Sequence, residues 1–279
     1  MAAFFDGTRP GKTVTHGKST FDLPILYFRD DMFALFFTCD LQKARALMPS
    51  DKLHPVAVSG RRATLAVVAF NYIDTSIGPY GEVGVIVPAV YGTKPAPMLV
   101  PGVIESKYPG FGALVMHLPV TKMTARDAGR GEWGYTKFVA DMHFTNTPEY
   151  QEIRMFEQKQ HIMTMRVMRQ GICLRDRKPI ITLSVKNGQL IKTTIPQKGT
   201  CRTSLRPKDS FLELGDHEMA QSIRDLEISS RPLQSRYYVE RSGILPSGEV
   251  LETGVRPLDG IKGKDRKGKH EVVYTKETK

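Results

Sequence analysis

Apolar residues along the chain come in short runs rather than in long helical stretches. The runs are about as long as β-strands, are rich in β-branched and aromatic residues, and are bounded by Gly, Pro or Asp. We predict a strand in each run, and a tight hairpin where Asn187 and Gly188 provide a strong turn signal. The predicted strands cover residues 21–28, 32–38, 63–72, 83–91, 137–145, 152–157, 161–168, 180–185, 190–195 and 237–245.

Three short segments carry helix signals instead. Asp40 is a candidate N-cap for a helix that Pro49 ends. A second helix is predicted over residues 121–128, and a third over residues 218–226 with Asp216 as its N-cap. Many strands at short spacing with few helices predict a mainly β (α+β) fold, an antiparallel barrel or sandwich rather than a doubly wound sheet.

Composition divides the chain into three parts. Residues 1–20 mix Gly, Thr, Lys and Pro without periodicity, which predicts an N-terminal arm. Residues 21–256 hold every predicted strand and no internal repeat, so we predict a single domain there. Residues 257–279 carry seven Lys or Arg, four Asp or Glu and few large apolar residues, which predicts a basic, disordered tail.

The balance of charge and the cysteines narrow the possible partners and the compartment. Forty Lys and Arg against 29 Asp and Glu give a net charge of +11, which favours an anionic partner. The basic residues are scattered and not interleaved with aromatic residues, so we predict no nucleic-acid binding. No apolar run approaches the roughly 18 residues of a membrane span, and the start lacks a signal-peptide run, so we predict no membrane partner. Cys39, Cys173 and Cys201 are far apart in the chain, which is typical of reduced thiols in a cytoplasmic protein.

Two glycine-rich segments match the letters of nucleotide-binding motifs but not their context. Residues 129–134 read G-R-G-E-W-G, but a predicted helix precedes them and a strand follows, the reverse of a dinucleotide fingerprint. Residues 7–13 have three residues between the glycines where a phosphate loop has four. The seven histidines show no metal-ligand spacing, and no G-x-S-x-G motif is present. We therefore predict no cofactor and no metal.

Two other segments carry polar and aromatic residues that core packing does not require. Residues 70–85 read F-N-Y-I-D-T-S-I-G-P-Y-G-E-V-G-V, and residues 118–121 read L-P-V-T. Residues 128–141 read A-G-R-G-E-W-G-Y-T-K-F-V-A-D. These segments resemble the D-T-S-x-G-x-Y-x-E-x-G and V-T … G-R-E-x-W-G-Y-P-K segments of the acetoacetate decarboxylase family. The resemblance extends more loosely over residues 21–246.

The resemblance implies an acetoacetate decarboxylase-like β-barrel enzyme, often a homo-oligomer, that forms a Schiff base with its substrate. Lys137 matches the Schiff-base lysine and Glu82 matches a carboxylate of the pocket, so both are predicted catalytic residues. For Arg130 a positioning role and a substrate contact are equally open. The predicted substrate-binding residues are Arg130, Tyr80, Trp133 and Tyr135.

The chemistry that such a lysine performs can be derived independently. Loss of CO2 from a 3-oxo acid leaves an electron pair, and a protonated imine between a lysine and the ketone accepts that pair. The attacking amine must be neutral, whereas a lysine with an ordinary pKa near ~10.4 is almost wholly protonated at pH 7. Desolvation or a neighbouring cation must therefore favour the neutral amine, as is known for acetoacetate decarboxylase itself. The sequence around Lys137 is suitably apolar, although a lysine at a strand edge in solvent is the alternative.

Several positions depart from the family pattern. Phe138 stands where the decarboxylase has a second lysine, and Thr136 stands where a proline is usual. Alignment from Glu82 places Val67 at a pocket glutamate and Thr38 at a substrate-side arginine. If the arginine is absent, the carboxylate of acetoacetate lacks its partner, which favours a different substrate.

Three functions therefore remain open from the sequence. The first is a carbon-carbon lyase that decarboxylates a 3-oxo acid, acetoacetate-like or larger, through an imine at Lys137. The second keeps the imine but performs aldolase or dehydratase chemistry on a larger, more apolar oxo acid. The third is a barrel without catalysis that binds an acidic metabolite.

Overall fold

A computed structural model of the chain describes residues 2–9, 11–258, 260, 263 and 272–275. The α-helices are α1 (Ala2–Phe5), α2 (Leu41–Ala46), α3 (Val100–Ile104), α4 (Met123–Ala128) and α5 (Glu218–Asp225). The strands are β1 (Lys12–His16), β2 (Ser19–Leu23), β3 (Ile25–Asp40), β4 (Leu53–Pro55), β5 (Arg62–Thr75), β6 (Tyr80–Tyr91), β7 (Phe111–His117), β8 (Asp141–Asn146), β9 (Tyr150–Glu157), β10 (Gln160–Met168), β11 (Ile172–Asp176), β12 (Ile180–Lys186), β13 (Gln189–Ile195), β14 (Gln197–Leu205), β15 (Phe211–Leu214), β16 (Gln234–Leu245), β17 (Glu249–Thr253) and β18 (Val272–Thr275). A 3-10 turn covers Glu105–Lys107 and a π-helical turn covers Gly129–Trp133. The predicted mainly β class with a few short helices is confirmed.

Most of the strands form one large sheet in the order β11-β14-β16-β3-β5-β6-β7-β12-β13-β17, and β4 pairs with β6. The neighbours are antiparallel except β7 and β12, which are parallel. The expected closure into a barrel is corrected, because β11 and β17 do not pair within the described residues. Bulges in the ladders of β3, β14 and β16 bend the sheet without joining its two edges.

A smaller sheet, in the order β15-β10-β9-β8-β18, packs against one face of the large sheet. Leu35, Val67 and Val85 of the large sheet lie in this shared core with Met155 and Ile223. Because successive side chains of a strand point to opposite faces, the residues between them face the other side. Both faces of the central strands are therefore covered, which explains why their sequences read as continuous apolar runs rather than as alternating ones.

The terminal segments contain regular structure. The segment predicted as an N-terminal arm holds α1 and half of the hairpin formed by β1 and β2. Ser19 of this hairpin donates to Asp127 Oδ2 over 3.0 Å, and His16 lies 3.2 Å from Glu132, so the hairpin packs against α4 and the π-helical turn. In the predicted tail, β18 pairs in parallel with β8, and most of the remaining tail lies outside the described residues.

The helix caps agree with the sequence in one case and differ in another. Asp40 caps α2, since its carboxylate accepts a hydrogen bond of 2.9 Å from the backbone N–H of Lys43. Asp216 does not cap α5 as predicted. The buried imidazole of His217 takes that place by accepting from the N–H of Met219, and its other nitrogen lies 3.0 Å from Glu157.

A buried histidine makes the fold sensitive to acid. His117 at the end of β7 is 4% exposed, and burial lowers the pKa of its imidazole from about 6.5 to about 4, with a further contribution from the charge of His217. Between these values the unfolded chain binds a proton that the folded chain does not, so the free energy of unfolding falls as the pH falls through this window.

We expect His117 to account for a loss of about 3 kcal/mol in the free energy of unfolding between pH 7 and pH 4. A His117→Gln protein should lose about that much less than the wild type in denaturant-unfolding measurements at the two pH values. His143→Gln is the control, because His143 is exposed. Equal losses in the wild type and the His117→Gln protein would contradict this prediction.

Candidate active site

Lys137 lies in an irregular segment that joins the π-helical turn to β8. The strand predicted over residues 137–145 is too long, since regular pairing begins only at Asp141. The segment is held by backbone bonds to the stretch after β7, among them Val120 N–H to the Phe138 carbonyl at 2.9 Å. This attachment turns the Lys137 side chain to one side and Phe138 into the core between the two sheets.

Two residues of the π-helical turn make hydrogen bonds that fix the segment around Lys137. The Arg130 Nε donates a 2.6 Å hydrogen bond to the backbone carbonyl of Lys137. The Trp133 indole is 1% exposed and donates to the carbonyl of Pro246 over 2.8 Å. The Arg130 contact holds the backbone that carries the lysine, which favours the positioning role that the sequence left open for Arg130. The Trp133 contact ties the turn to the segment after β16.

Gly129 at the start of this turn lies against the lysine side chain. A Cβ atom built on Gly129 would overlap Cε of Lys137 and would lie 2.5 Å from its Cδ. The backbone of Gly129 is helical, with φ −64° and ψ −43°. A methyl group at this position would therefore displace the lysine side chain, although the backbone angles of Gly129 suit any residue.

Glu82 reaches the lysine from the large sheet. It lies near the start of β6, directly opposite Phe70 of β5. The Lys137 Nζ donates to Glu82 Oε2, and the Tyr72 hydroxyl donates to Oε1 over 3.3 Å. Lys137 and Glu82 are 5% and 6% exposed, so the pair is shielded from water. Buried charges of this kind are tolerated when they are paired and hydrogen-bonded.

Four buried tyrosines surround the pair. The Lys137 Nζ lies 6.0 Å from the centre of the Tyr80 ring and 5.9 Å from that of Tyr135. The hydroxyls of Tyr27 and Tyr80 lie 3.1 Å apart, and that of Tyr135 lies 2.7 Å from Thr182 Oγ1. Burial, and secondarily the charge of Glu82, raises the pKa of Tyr27, and burial raises the pKa of Tyr135 to about 12. These phenols therefore stay neutral hydrogen-bond donors at neutral pH.

The pair lies at one end of a cavity of about 180 Å³ on the face of the large sheet opposite the smaller sheet. Glu82, Lys137 and Tyr135 line this cavity, whereas Arg130, Trp133 and Tyr80 do not. Most of the remaining lining is apolar. The apolar lining includes Met32, Ala34, Phe36, Val68, Phe70, Gly84, Ile86, Val115, Leu118, Ile180, Ile195 and Leu245.

A buried ion pair borders the cavity near the tyrosines. Arg241 binds Asp30 through both ends of its guanidinium, Nε at 2.7 Å and Nη2 at 3.0 Å, and donates to Gln197 over 3.1 Å. Burial raises the pKa of Asp30 to about 6, although Arg241 opposes this rise. Because the guanidinium is already bound by Asp30, it is not available as a simple positive charge for a substrate.

Comparison with known protein families gives a match over most of the chain. The family model for acetoacetate decarboxylase (ADC) matches residues 10–252. The chain belongs to the acetoacetate decarboxylase family. A search of curated protein sequences finds no match.

Solved structures of the family share the fold. Acetoacetate decarboxylase from Legionella pneumophila is similar with a TM-score of 0.65 and 16% identity, over 91% of this chain and 96% of that chain. An acetoacetate decarboxylase-like enzyme from Sphingomonas wittichii RW1 is similar with a TM-score of 0.57 and 15% identity, over 82% and 93%. The enduracididine biosynthesis enzyme MppR, complexed with pyruvate, is similar with a TM-score of 0.57 and 10% identity, over 86% and 92%. At these identities the likeness establishes the fold alone.

Two positions that the sequence alignment assigned to the pocket of this family member lie elsewhere. Val67 faces the core between the two sheets. Thr38 accepts hydrogen bonds from Arg62 and does not line the cavity. Neither residue therefore lines the cavity, and the residue opposite Glu82 on β5 is Phe70. Phe138 points away from the cavity, as expected from its place next to Lys137.

Several residues that border the Lys137–Glu82 pair are not predicted by the sequence analysis. Tyr72 lies inside the first family motif but was not singled out, although a tyrosine two residues from Phe70 on the same strand shares its face. Arg241 could have been recognised as a charge within a predicted strand, whereas Asp30 lies between two predicted strands that the structure joins as β3. Tyr27 carried no signal, because a single tyrosine in an apolar strand is typical of a core.

Neither a metal cluster nor a membrane helix is found within the described part of the chain. No group of three or more His, Cys, Asp or Glu side chains there is placed to hold a metal ion. None of the helices described is long and apolar enough to span a membrane.

Proposed function

We propose that this protein is a lyase that binds the carbonyl carbon of an oxo acid as an imine on Nζ of Lys137. The observation that carries the proposal is the buried contact of Lys137 with Glu82 at the end of an apolar cavity. A lysine without a catalytic task is rarely buried, since removing its charge from water is costly. Membership of the acetoacetate decarboxylase family supports the same chemistry.

The first steps use only residues of this chain. Transfer of a proton from Nζ to Glu82 gives the neutral amine, which attacks the carbonyl carbon and forms the C–N bond. The carbonyl oxygen then takes up two protons and leaves as water. Glu82 contacts Nζ and is placed to pass these protons as a general acid and base. The tyrosine hydroxyls supply neutral donors around the developing charges.

Decarboxylation follows from the protonated imine. The bond between the α-carbon and the carboxylate breaks, CO2 leaves, and the electron pair moves into the imine to give an enamine. The enamine takes up a proton on carbon, and water then releases the ketone and the free lysine. An apolar surrounding assists this step, because the charge of the carboxylate is lost as CO2 forms.

A second function is favoured by the state of Arg241. Besides Lys137, Arg241 is the cation among the described residues that line this end of the cavity, and Asp30 already binds its guanidinium. A substrate carboxylate is then held weakly, which favours an enamine formed by loss of a proton from the α-carbon. Such an enamine attacks an aldehyde and forms a C–C bond, as in aldolase chemistry, and loss of water from the hydroxyl-bearing adduct is the dehydratase step. The structure of MppR complexed with the condensation product of pyruvate and imidazole 4-carboxaldehyde supports this alternative.

Product analysis separates the two reactions. Pyruvate, acetoacetate and a longer 3-oxo acid are each incubated with the enzyme in D2O, with and without an aromatic aldehyde, and followed by NMR. Deuterium in the product's α-carbon indicates an enamine, a released ketone indicates decarboxylation, and an aldehyde-derived product indicates condensation. We expect a Lys137→Met protein to give these signals no faster than a solution without protein, and a rate above that background would contradict the proposal.

We also propose that the chain acts as a cytoplasmic homo-oligomer. Ile172 and Leu174 of the sheet-edge strand β11 are 70% and 52% exposed, and Leu205 of β14 is 79% exposed. Association of two copies would remove these apolar side chains from water. Sedimentation of the wild type against an Ile172→Lys protein tests this proposal, and equal masses near 31.3 kDa would contradict it.

A further inference from the structure

The cavity extends well beyond the Lys137–Glu82 pair. Glu82, Gly84, Ile86 and Pro88 are alternate residues of β6 and all line it. At about 3.3 Å per residue, the lining of this strand covers about 20 Å. A substrate of the size of acetoacetate occupies only the part next to the lysine.

A row of small side chains opens the cavity directly beyond the pair. Met32, Phe70 and Glu82 pair across three strands and form the row level with the lysine. The next row along the same face consists of Ala34, Val68 and Gly84. The small side chains leave space that larger residues would fill. A Cβ on Gly84 would lie 3.3 Å from Cδ1 of Leu118, so a larger residue there narrows the passage.

A charged cluster marks the far end of this space. Glu105 of the 3-10 turn pairs with Arg236 of β16, and Lys178 Nζ donates to Glu105 over 3.0 Å. All three residues line the cavity. Arg236 lies over the ring of Phe36, with 4.8 Å between the guanidinium carbon and the ring centre. An apolar substrate chain would end before this cluster, because contact with it would desolvate the charges.

From this geometry we propose that the substrate is a straight-chain 3-oxo acid whose alkyl group runs from Lys137 past Gly84 toward Glu105. The proposal rests on the imine chemistry proposed above and names its substrate class. At roughly 10–15 Å³ for each water-sized group, the cavity holds 12–18 such groups. The oxo acid head occupies about six of them, which leaves room for an alkyl group of about 6–12 carbons. Gly84 and Ile86 then determine the accepted chain length.

The test compares kcat/KM for acetoacetate and for straight-chain 3-oxo acids with alkyl groups of increasing length. We expect the wild type to prefer the longer acids, with an optimum at about 6–12 alkyl carbons. Gly84→Val should lower kcat/KM for the preferred acid by about 10-fold or more and change that for acetoacetate little. Ile86 is partly exposed and lines the cavity, and the smaller alanine of Ile86→Ala enlarges the cavity there. This substitution should move the optimum to a longer chain.

A matched control lies on the same part of the chain. Gly92 follows β6 outside the cavity, and a Cβ there has only the Lys94 carbonyl oxygen within 4 Å, so Gly92→Val should leave the chain-length profile unchanged. A wild-type optimum at acetoacetate, or a Gly84→Val protein that loses acetoacetate and long-chain activity equally, would overturn the proposal. If Gly84→Val does not fold, the shift expected for Ile86→Ala decides.

A second measurement keeps this proposal separate from the imine proposal. Decanoate carries an alkyl chain but no ketone, so it enters the cavity without forming an imine. We expect calorimetry to show that the wild type and Gly92→Val bind decanoate and that Gly84→Val binds it at least about 10-fold more weakly. Binding of decanoate without any reaction of oxo acids would contradict the imine proposal and support an alkyl site in the cavity. Equal binding of decanoate to all three proteins, or to none, would overturn the proposal that the alkyl group runs past Gly84.

Discussion

Replacing Glu82 by glutamine is expected to slow turnover of an oxo acid by about 10²–10⁴-fold, the usual contribution of a general acid or base. Glutamine keeps the size of the side chain and an oxygen for the Tyr72 hydroxyl, but it cannot accept and return the protons of imine formation. The loss should therefore lie mainly in kcat, with a smaller change in KM. Steady-state kinetics on the substrate identified by product analysis measures both.

Glu152→Gln is the matched control for this prediction. Glu152 is also a buried carboxylate in an ion pair, since it binds Arg154 and Arg166, but it lies on β9 of the smaller sheet. We expect Glu152→Gln to change stability without changing kcat. A Glu82→Gln protein with wild-type kcat would show that Glu82 only holds the lysine in place.

Replacing Gly129 by alanine is expected to lower the rate of imine formation by about 10²-fold or more, although Gly129 contacts no substrate. The added methyl group occupies the space of Cε and Cδ of Lys137, so the amine must move away from Glu82. Displacement of a reacting group by about 1 Å is enough for a loss of this size. The rate of borohydride trapping with a saturating oxo acid measures it.

The helical backbone of Gly129 makes this substitution a specific test. Alanine is compatible with that backbone and has a higher helix propensity than glycine, so the thermal unfolding temperature should fall little or not at all. Gly60→Ala is the control, because a Cβ there meets no atom within 4 Å. Wild-type trapping by a folded Gly129→Ala protein would mean that the lysine does not react from the position described here.

The sequence was sufficient for the central strands β5 and β6 and for the two residues of the Lys137–Glu82 contact, but it did not indicate β7, β11 or β14. Strand-length apolar runs located the central strands because burial on both faces requires continuous apolar sequence. Lys137 and Glu82 were found through their motifs, 55 residues apart in the chain, and the structure brings their side chains into contact.

Features that depend on long-range contacts were beyond the sequence. The strand predicted from residue 137 starts at Asp141, because bonds to Val120 outside the local sequence hold the preceding segment. The cavity positions assigned to Val67 and Thr38 depended on the register of a sequence alignment. A shift of that register by one residue moves a strand side chain to the opposite face of the sheet. The open edges of the sheet likewise follow from which strands pair, and periodicity carries no information on that.

The central claim is that Lys137 forms a covalent imine with an oxo acid, and borohydride trapping tests it most directly. The protein is incubated with acetoacetate, pyruvate and a longer 3-oxo acid, reduced, and analysed by intact mass and peptide mapping. We predict one reduced adduct per chain on Lys137, and none on a folded Lys137→Met protein. Absence of an adduct with every acid in the folded wild type, or an adduct on another lysine, would contradict the claim and favour a protein that binds acidic metabolites without catalysis.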